Sequence, residues 1–209
     1  MTRKGGAWRR ERDTDPFVRE ARRRGLRSRA ALKLEAMDAR DHLFRGARVV
    51  VDLGAAPGGW SQVARRALPP DGRVVALDVL KMEELPGVEF IQGDFRRAEV
   101  LRRLHSSIGL RTADLVLSDM APNLSGMRVH DQARWRELAE YAAEFSADVL
   151  KRDGVFLVKL FQGEETAPYL RMLRERFANV TVRKPAASRR QSSESYALAR
   201  GVERFATHG

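Results

Sequence analysis

The strongest constraint on the fold is a recurrence: a short apolar run, then a longer stretch of helical character, several times in succession. Arg48–Leu53 reads as a buried strand, with a helix from about Gly59 to Leu68. Pro69–Gly72 is a turn, and Arg73–Asp78 is the next strand. Val88–Ile91 is a third strand, followed by helix through about Leu104. Ala113–Ser118 is a fourth, followed by a long helix from roughly Gln132 to Leu150. Val155–Phe161 is a fifth, with a helix from about Ala167 to Phe177. Apolar runs this short and continuous, separated by helices, specify an α/β chain whose sheet is mostly parallel and covered on both faces. The rhythm breaks at the end. Val180–Lys184 and Ser195–Ala199 are strand-like with no helix between them, which predicts a C-terminal antiparallel hairpin and seven strands in all.

A sheet of this kind binds ligands where its strands end. Here those ends carry Asp52, Asp78, Asp94 and Asp119. After the first strand, Gly54, Gly58 and Gly59 let the backbone approach a ligand where a Cβ would obstruct it. The spacing is not G-x-G-x-x-G, and Pro57 stands where a dinucleotide loop would present amides to a pyrophosphate, so a nicotinamide oxidoreductase fits poorly. Asp78 suits ribose hydroxyls and Asp94 an adenine amine. Each aspartate alone also reads as a turn or cap residue. Together they outline a groove for a methionine–ribose–adenine ligand formed by Asp52, Gly54, Gly58, Gly59, Asp78 and Asp94, beside Asp119.

Two lysines stand where apolar residues belong. Lys159 interrupts the fifth strand, and Lys33 lies within the stripe of Ala30, Leu34 and Met37, on a helix for which Ser28 is a plausible N-cap. A lysine in such a place needs a compensating charge or a route to the surface. Asp119 opens Asp-Met-Ala-Pro rather than the Asn/Asp-Pro-Pro-aromatic sequence of amino-group methylases, which disfavours methylation of a nucleobase amine. Glu194, by itself, reads as a surface residue.

Charge narrows the partner. The chain of 209 residues carries a formal net charge of +11, which suits a polyanion. From Met1 to Lys33 twelve Lys or Arg face four Asp or Glu. RNA contact is expected from Arg19, Arg22, Arg23, Arg27 and Arg29, helped by Arg183, Lys184, Arg189 and Arg190, with Trp8 or Phe17 stacking on bases. Residues 1–27 read as a basic RNA-contacting extension and 28–209 as one domain. There are no cysteines, and the four histidines have no metal-ligand spacing. No metal, no membrane span, a cytoplasmic location and a monomer are the expectations.

Asp52-Leu-Gly-Ala-Ala-Pro-Gly-Gly-Trp60, Ser118-Asp-Met-Ala-Pro-Asn123 and Val158-Lys-Leu-Phe-Gln-Gly163 closely resemble the RlmE/FtsJ (RrmJ) ribosomal RNA methyltransferases. Gly25–Ala30 and Arg183-Lys-Pro185 add to the match, which runs from about Phe17 through nearly the whole chain. The resemblance implies a Rossmann-like, S-adenosylmethionine-dependent methyltransferase with a Lys-Asp-Lys-Glu catalytic tetrad at Lys33, Asp119, Lys159 and Glu194. It also implies cofactor contacts at Gly58, Trp60, Asp78, Asp94 and Asp119. The implied reaction is 2′-O-methylation of a uridine ribose in the A-loop of large-subunit rRNA, on an assembled or nearly assembled subunit. A tRNA or mRNA-cap 2′-O-methyltransferase and a non-catalytic ribosome-assembly factor are the alternatives. Residues 1–16 and 127–136 match the family pattern less well.

Overall fold

The computed structural model describes residues 15–122, 125–185 and 194–203. Seven strands form one sheet: β1 (Val49–Leu53), β2 (Arg73–Asp78), β3 (Val88–Gln92), β4 (Ala113–Ser118), β5 (Leu150–Leu160), β6 (Phe177–Arg183) and β7 (Ser195–Val202), in the order β3-β2-β1-β4-β5-β7-β6. The first five pair in parallel. β7 inserts antiparallel between β5 and β6, which is the expected C-terminal hairpin. The helices are α1 (Pro16–Arg23), α2 (Ala30–Asp41), α3 (Gly59–Ala67), α4 (Ala98–Ile108), α5 (Arg128–Val149) and α6 (Thr166–Arg176).

Side chains alternate across a strand, so each strand feeds two cores. Val50, Leu115, Leu117, Leu157 and Leu198 point to the face covered by α1, α2 and α3, where they meet Leu34, Met37 and Trp60. Val51, Leu77, Val116, Phe156 and Ala199 point to the face covered by α4, α5 and α6, against Leu104, Trp135 and Tyr169. Each buried Leu, Val or Phe contributes about 1.5–3 kcal/mol relative to exposure, and most strand residues are buried on one face or the other.

Several boundaries differ from the sequence reading, for identifiable reasons. β5 begins at Leu150 rather than Val155, because Ala113 on β4 already pairs with Leu150 ahead of the polar Lys151–Asp153. α5 begins at Arg128, a polar turn earlier than the apolar period suggests. There Asp131 accepts hydrogen bonds from Ser125 N, Ser125 Oγ and Gly126 N, which hold its carboxyl below the ordinary range. α4 runs on to Ile108, and Phe177 opens β6 instead of closing α6. Ser28 is not the cap of α2: Arg29 occupies that place without a side-chain cap bond. α1 was not foreseen as a helix. Its Pro16 sits in the first turn, its N-cap Asp15 accepts from Phe17 N at 2.9 Å, and Ala21 is buried.

Candidate active site

β1 and β4 are neighbours whose connections leave in opposite directions, so a crevice opens past their carboxyl ends. It is a groove of about 620 Å³ lined by Gly54 and Ala56 after β1, Asp78 at the end of β2 with Val79 and Leu80 beyond it, Asp94 and Phe95 after β3, and Asp119 and Met120 after β4. That volume lies within the roughly 300–1,000 Å³ typical of small-molecule sites. The groove is narrow at its floor. Gly54 has φ +81°, and a Cβ there would stand 2.9 Å from Met120 N.

Asp78 is oriented from both sides. Its Oδ2 accepts from Ala56 N and its Oδ1 from Leu80 N, each at 2.8 Å, and an ionised carboxylate has further lone pairs for hydroxyl donors. Val79 and Leu80 are 58% and 64% exposed at the groove's lip, an apolar plate of the kind a flat ring covers. Asp94 is less open than its sequence position suggests. Arg96 forks onto it at 2.8 and 3.1 Å and adds its backbone N–H, which lowers the Asp94 carboxyl below its ordinary range. An adenine amine at Asp94 has to share that carboxylate with Arg96.

Four residues expected to hold the ligand lie behind the groove instead of lining it. Trp60 is buried, donates from Nε1 to Ala30 O at 2.8 Å and packs on Tyr196 with ring centroids 5.5 Å apart. Gly59 is a contact between helices: a Cβ there would stand 2.2 Å from Ser28 Oγ. Gly58 faces Arg27 and Met82. Asp52 is fully buried, with Ser61 Oγ donating to its Oδ2 at 2.6 Å and its Oδ1 without a partner among the described residues. Burial pushes its carboxyl up to about 7; the Ser61 hydrogen bond opposes this, and the Asp119 and Asp78 charges add to it. Asp52 lies on β1 before the chain reaches the groove at Gly54 and Ala56, and Gly58, Gly59 and Trp60 lie where it has left the groove to begin α3, so these four shape the loop by packing.

At the groove's inner end the two misplaced lysines find their partners. Lys33, 4% exposed, donates to Glu194 Oε2. Lys159 Nζ lies 3.1 Å from Asp119 Oδ1 and 4.0 Å from Glu194 Oε1. The result is an alternating chain, Lys33–Glu194–Lys159–Asp119, that neutralises itself and ends on the wall of the groove. Four segments far apart in sequence build it: α2, the end of β4, β5 and the start of β7. Residue Lys159 lies opposite Tyr196 in the β5–β7 register, just beyond Glu194, while α2 brings Lys33 over the same sheet end.

Sequence reasoning missed Tyr196, whose OH donates to Asp119 Oδ1 at 3.1 Å. Burial, then the nearby Asp119 and Glu194 charges, push its phenol far up, so it stays a donor. Its position two residues beyond Glu194, on the same face of an extended segment, was the available signal. Trp135 was missed as well; its Nε1 donates to Lys159 O at 3.1 Å and steadies the end of β5.

The expected RNA cations divide. Arg19, Arg22, Arg23 and Lys184 are exposed, Arg23 in a fork with Glu20. Arg27 is a structural clamp, donating to Pro57 O, Glu83 O and Glu84 O at 3.3, 2.7 and 2.6 Å. Arg29 pairs with buried Asp15 at 2.6 Å, and Arg183 forks onto Asp41. Phe17 packs against the α1–α3 core. Arg189, Arg190, Trp8 and Asn123 lie outside the described residues. Among the described residues no helix is long and apolar enough to cross a membrane.

Comparison with known proteins adds an independent line. The family model described as FtsJ-like methyltransferase matches residues 26–202. Relatives named Ribosomal RNA large subunit methyltransferase E from Xanthomonas oryzae pv. oryzae (strain PXO99A) and Xanthomonas campestris pv. campestris (strain B100) are each 55% identical over 194 residues, covering 93% of this chain and 92% of the relative. A crystal structure of a Plasmodium falciparum ribosomal RNA methyltransferase superposes with a TM-score of 0.74 at 26% identity, covering 84% of this chain and 98% of that one.

Proposed function

The chain belongs to the FtsJ-like methyltransferase family, and from that premise we propose that it transfers the methyl group of S-adenosylmethionine to a uridine ribose 2′-hydroxyl in the A-loop of large-subunit rRNA. The observation that carries the reading is the alternating Lys33–Glu194–Lys159–Asp119 chain ending on the wall of the groove.

The groove's chemistry fits the cofactor. Asp78 offers acceptors for a ribose diol, Val79, Leu80 and Phe95 offer apolar contact for an adenine, and Gly54 leaves room beside Met120. Asp119 lies between that groove and Lys159. When bound, S-adenosylmethionine supplies an electrophilic methyl group.

The protein's own residues do the rest. Lys159 is held by Asp119 at one side and Glu194 at the other, which leaves the remaining position on Nζ for an incoming hydroxyl. In its amine form Lys159 takes the proton that the 2′-hydroxyl releases as the new O–CH₃ bond forms. Lys33 fixes Glu194, and Tyr196 fixes Asp119, so neither carboxylate swings away from Lys159. General-base catalysis of this sort contributes about 10²–10⁴-fold, and alignment of the two reactants supplies much of the remainder.

The test is methyl transfer from labelled S-adenosylmethionine to large ribosomal subunits from cells lacking the enzyme, with the labelled nucleotide mapped. The expected result is one A-loop uridine ribose. Lys159→Ala should lower turnover by about 10²–10⁴-fold while binding S-adenosylmethionine normally. Near-normal turnover in Lys159→Ala would remove the assigned role. Transfer to tRNA in place of subunits would replace the substrate, and no transfer to any RNA would leave an assembly factor on this scaffold.

A further inference from the structure

A second concavity, of about 490 Å³, lies on the α2 side of the sheet, between the end of α2 and strands β6 and β7. Its floor is made of Arg183 and two cross-strand pairs, Thr181 opposite Leu198 and Asn179 opposite Arg200. Its wall is Arg40, Asp41, His42 and Arg45. Four arginines therefore surround a single carboxylate, and the Asp41 oxygens are already occupied by the Arg183 fork. Arg40, Arg45 and Arg200 make no salt bridge among the described residues. Among the described residues their side chains make a single hydrogen bond, from Arg200 Nη2 to Asp41 O at 2.6 Å.

Ordinary explanations cover only part of this. A cation near a helix C-terminus is favourable in its own right, which accounts for Arg40. Charges on an edge strand discourage sheet-to-sheet aggregation, which accounts for Arg183 on β6. Neither accounts for the whole of Arg200, a half-buried arginine on β7 in the interior of the sheet: its Nη2 meets the last carbonyl of α2, and its other two nitrogens donate to nothing among the described residues. It lines a hollow that also carries the Asn179 amide and the Thr181 hydroxyl, both able to donate hydrogen bonds. Guanidinium groups converging on an open hollow with neutral donors between them match the oxygens of a phosphate.

The hollow is also placed to serve the active site. Asp41 is eight residues beyond Lys33 on α2, about 12 Å along the helix axis, and Arg183 lies directly across from Tyr196. We propose that this concavity binds the phosphodiester backbone of the substrate RNA at nucleotides flanking the target, a docking site separate from the α1 arginines. The proposal rests on the RNA reading above.

Arg45→Gln, Arg200→Gln and the double variant, as full-length proteins, would be titrated with a large-subunit rRNA fragment containing the A-loop over a range of salt. S-adenosylmethionine binding and methyl transfer to subunits are measured alongside. Each lost phosphate contact should flatten the slope of log K against log salt by about 0.7–0.9, and the double variant by about twice that. The KM for RNA should rise while S-adenosylmethionine binding holds. Arg45 lies on an exposed turn, so its variant remains informative even if Arg200→Gln misfolds. An unchanged slope and KM in Arg45→Gln and in the double variant would overturn the site. So would weakened binding to assembled subunits with the bare fragment unaffected, which would mark a ribosomal-protein contact instead. Failure of the wild-type protein to methylate any RNA would refute the proposed function, while the salt slopes would still decide the concavity.

Discussion

Asp52 sits under the groove with one oxygen bonded to Ser61 and the other without a partner among the described residues. Its carboxyl, ordinarily at 3.8, is pushed up to about 7 by burial. A carboxyl that ionises later in the folded state than in the unfolded chain makes stability fall as pH rises. Below the unfolded value both states are protonated and nothing is lost. Between that value and the folded one, the unfolded chain sheds its proton first and is favoured. The difference amounts to about 4 kcal/mol once pH exceeds the folded value, and roughly two-thirds of that accrues between pH 5 and pH 8. Asp52→Asn cannot ionise. It adds a buried N–H at the unpartnered position, an offset of about 1–3 kcal/mol that does not vary with pH. Urea unfolding of both proteins from pH 5 to pH 8.5, with equal m-values, isolates the effect, because every other titrating group cancels in the difference. The variant should gain roughly 2–3 kcal/mol on the wild type across that range. Parallel stability profiles would show that Asp52 is ionised throughout, and the burial argument would be wrong.

Gly54→Ala would place a Cβ against the Met120 backbone at a φ of +81°; a stability loss of about 1–3 kcal/mol and at least tenfold weaker S-adenosylmethionine binding should appear in thermal unfolding and calorimetric titration. Arg27→Lys replaces a fork reaching three carbonyls with a single point charge. It should cost about 1–2 kcal/mol and loosen the Pro57 and Glu83–Glu84 segments, with cofactor affinity falling several-fold. Unchanged melting and affinity would mean that the clamp is incidental.

Much of the fold was legible because the relevant forces are local. β4 (Ala113–Ser118) and β2 (Arg73–Asp78) fall where their apolar runs lie, and each ends in or just before an aspartate at the crevice. The misreadings also have local causes. Periodicity reports only the buried part of an element, so the polar starts of β5 and α5 were invisible. The glycine loop shows the same limit: sequence marks Gly54 and Gly59 alike, yet one floors the groove and the other touches Ser28.

The sequence by itself determined the layered architecture, the aspartates at the strand ends, and the presence of two lysines that had to find charged partners. Alternation, turns and burial costs act over a few residues, and they can be read there. Only the tertiary structure decided which charges meet. Lys33 and Glu194 are 161 residues apart, and Arg183 and Asp41 are 142 apart. The insertion of β7 between β5 and β6 sets both pairings. Tertiary contacts likewise commit Arg27, Arg29 and Arg183, indistinguishable in sequence from their neighbours, to internal partners, while Arg40, Arg45 and Arg200 line a hollow that no stretch of sequence outlines.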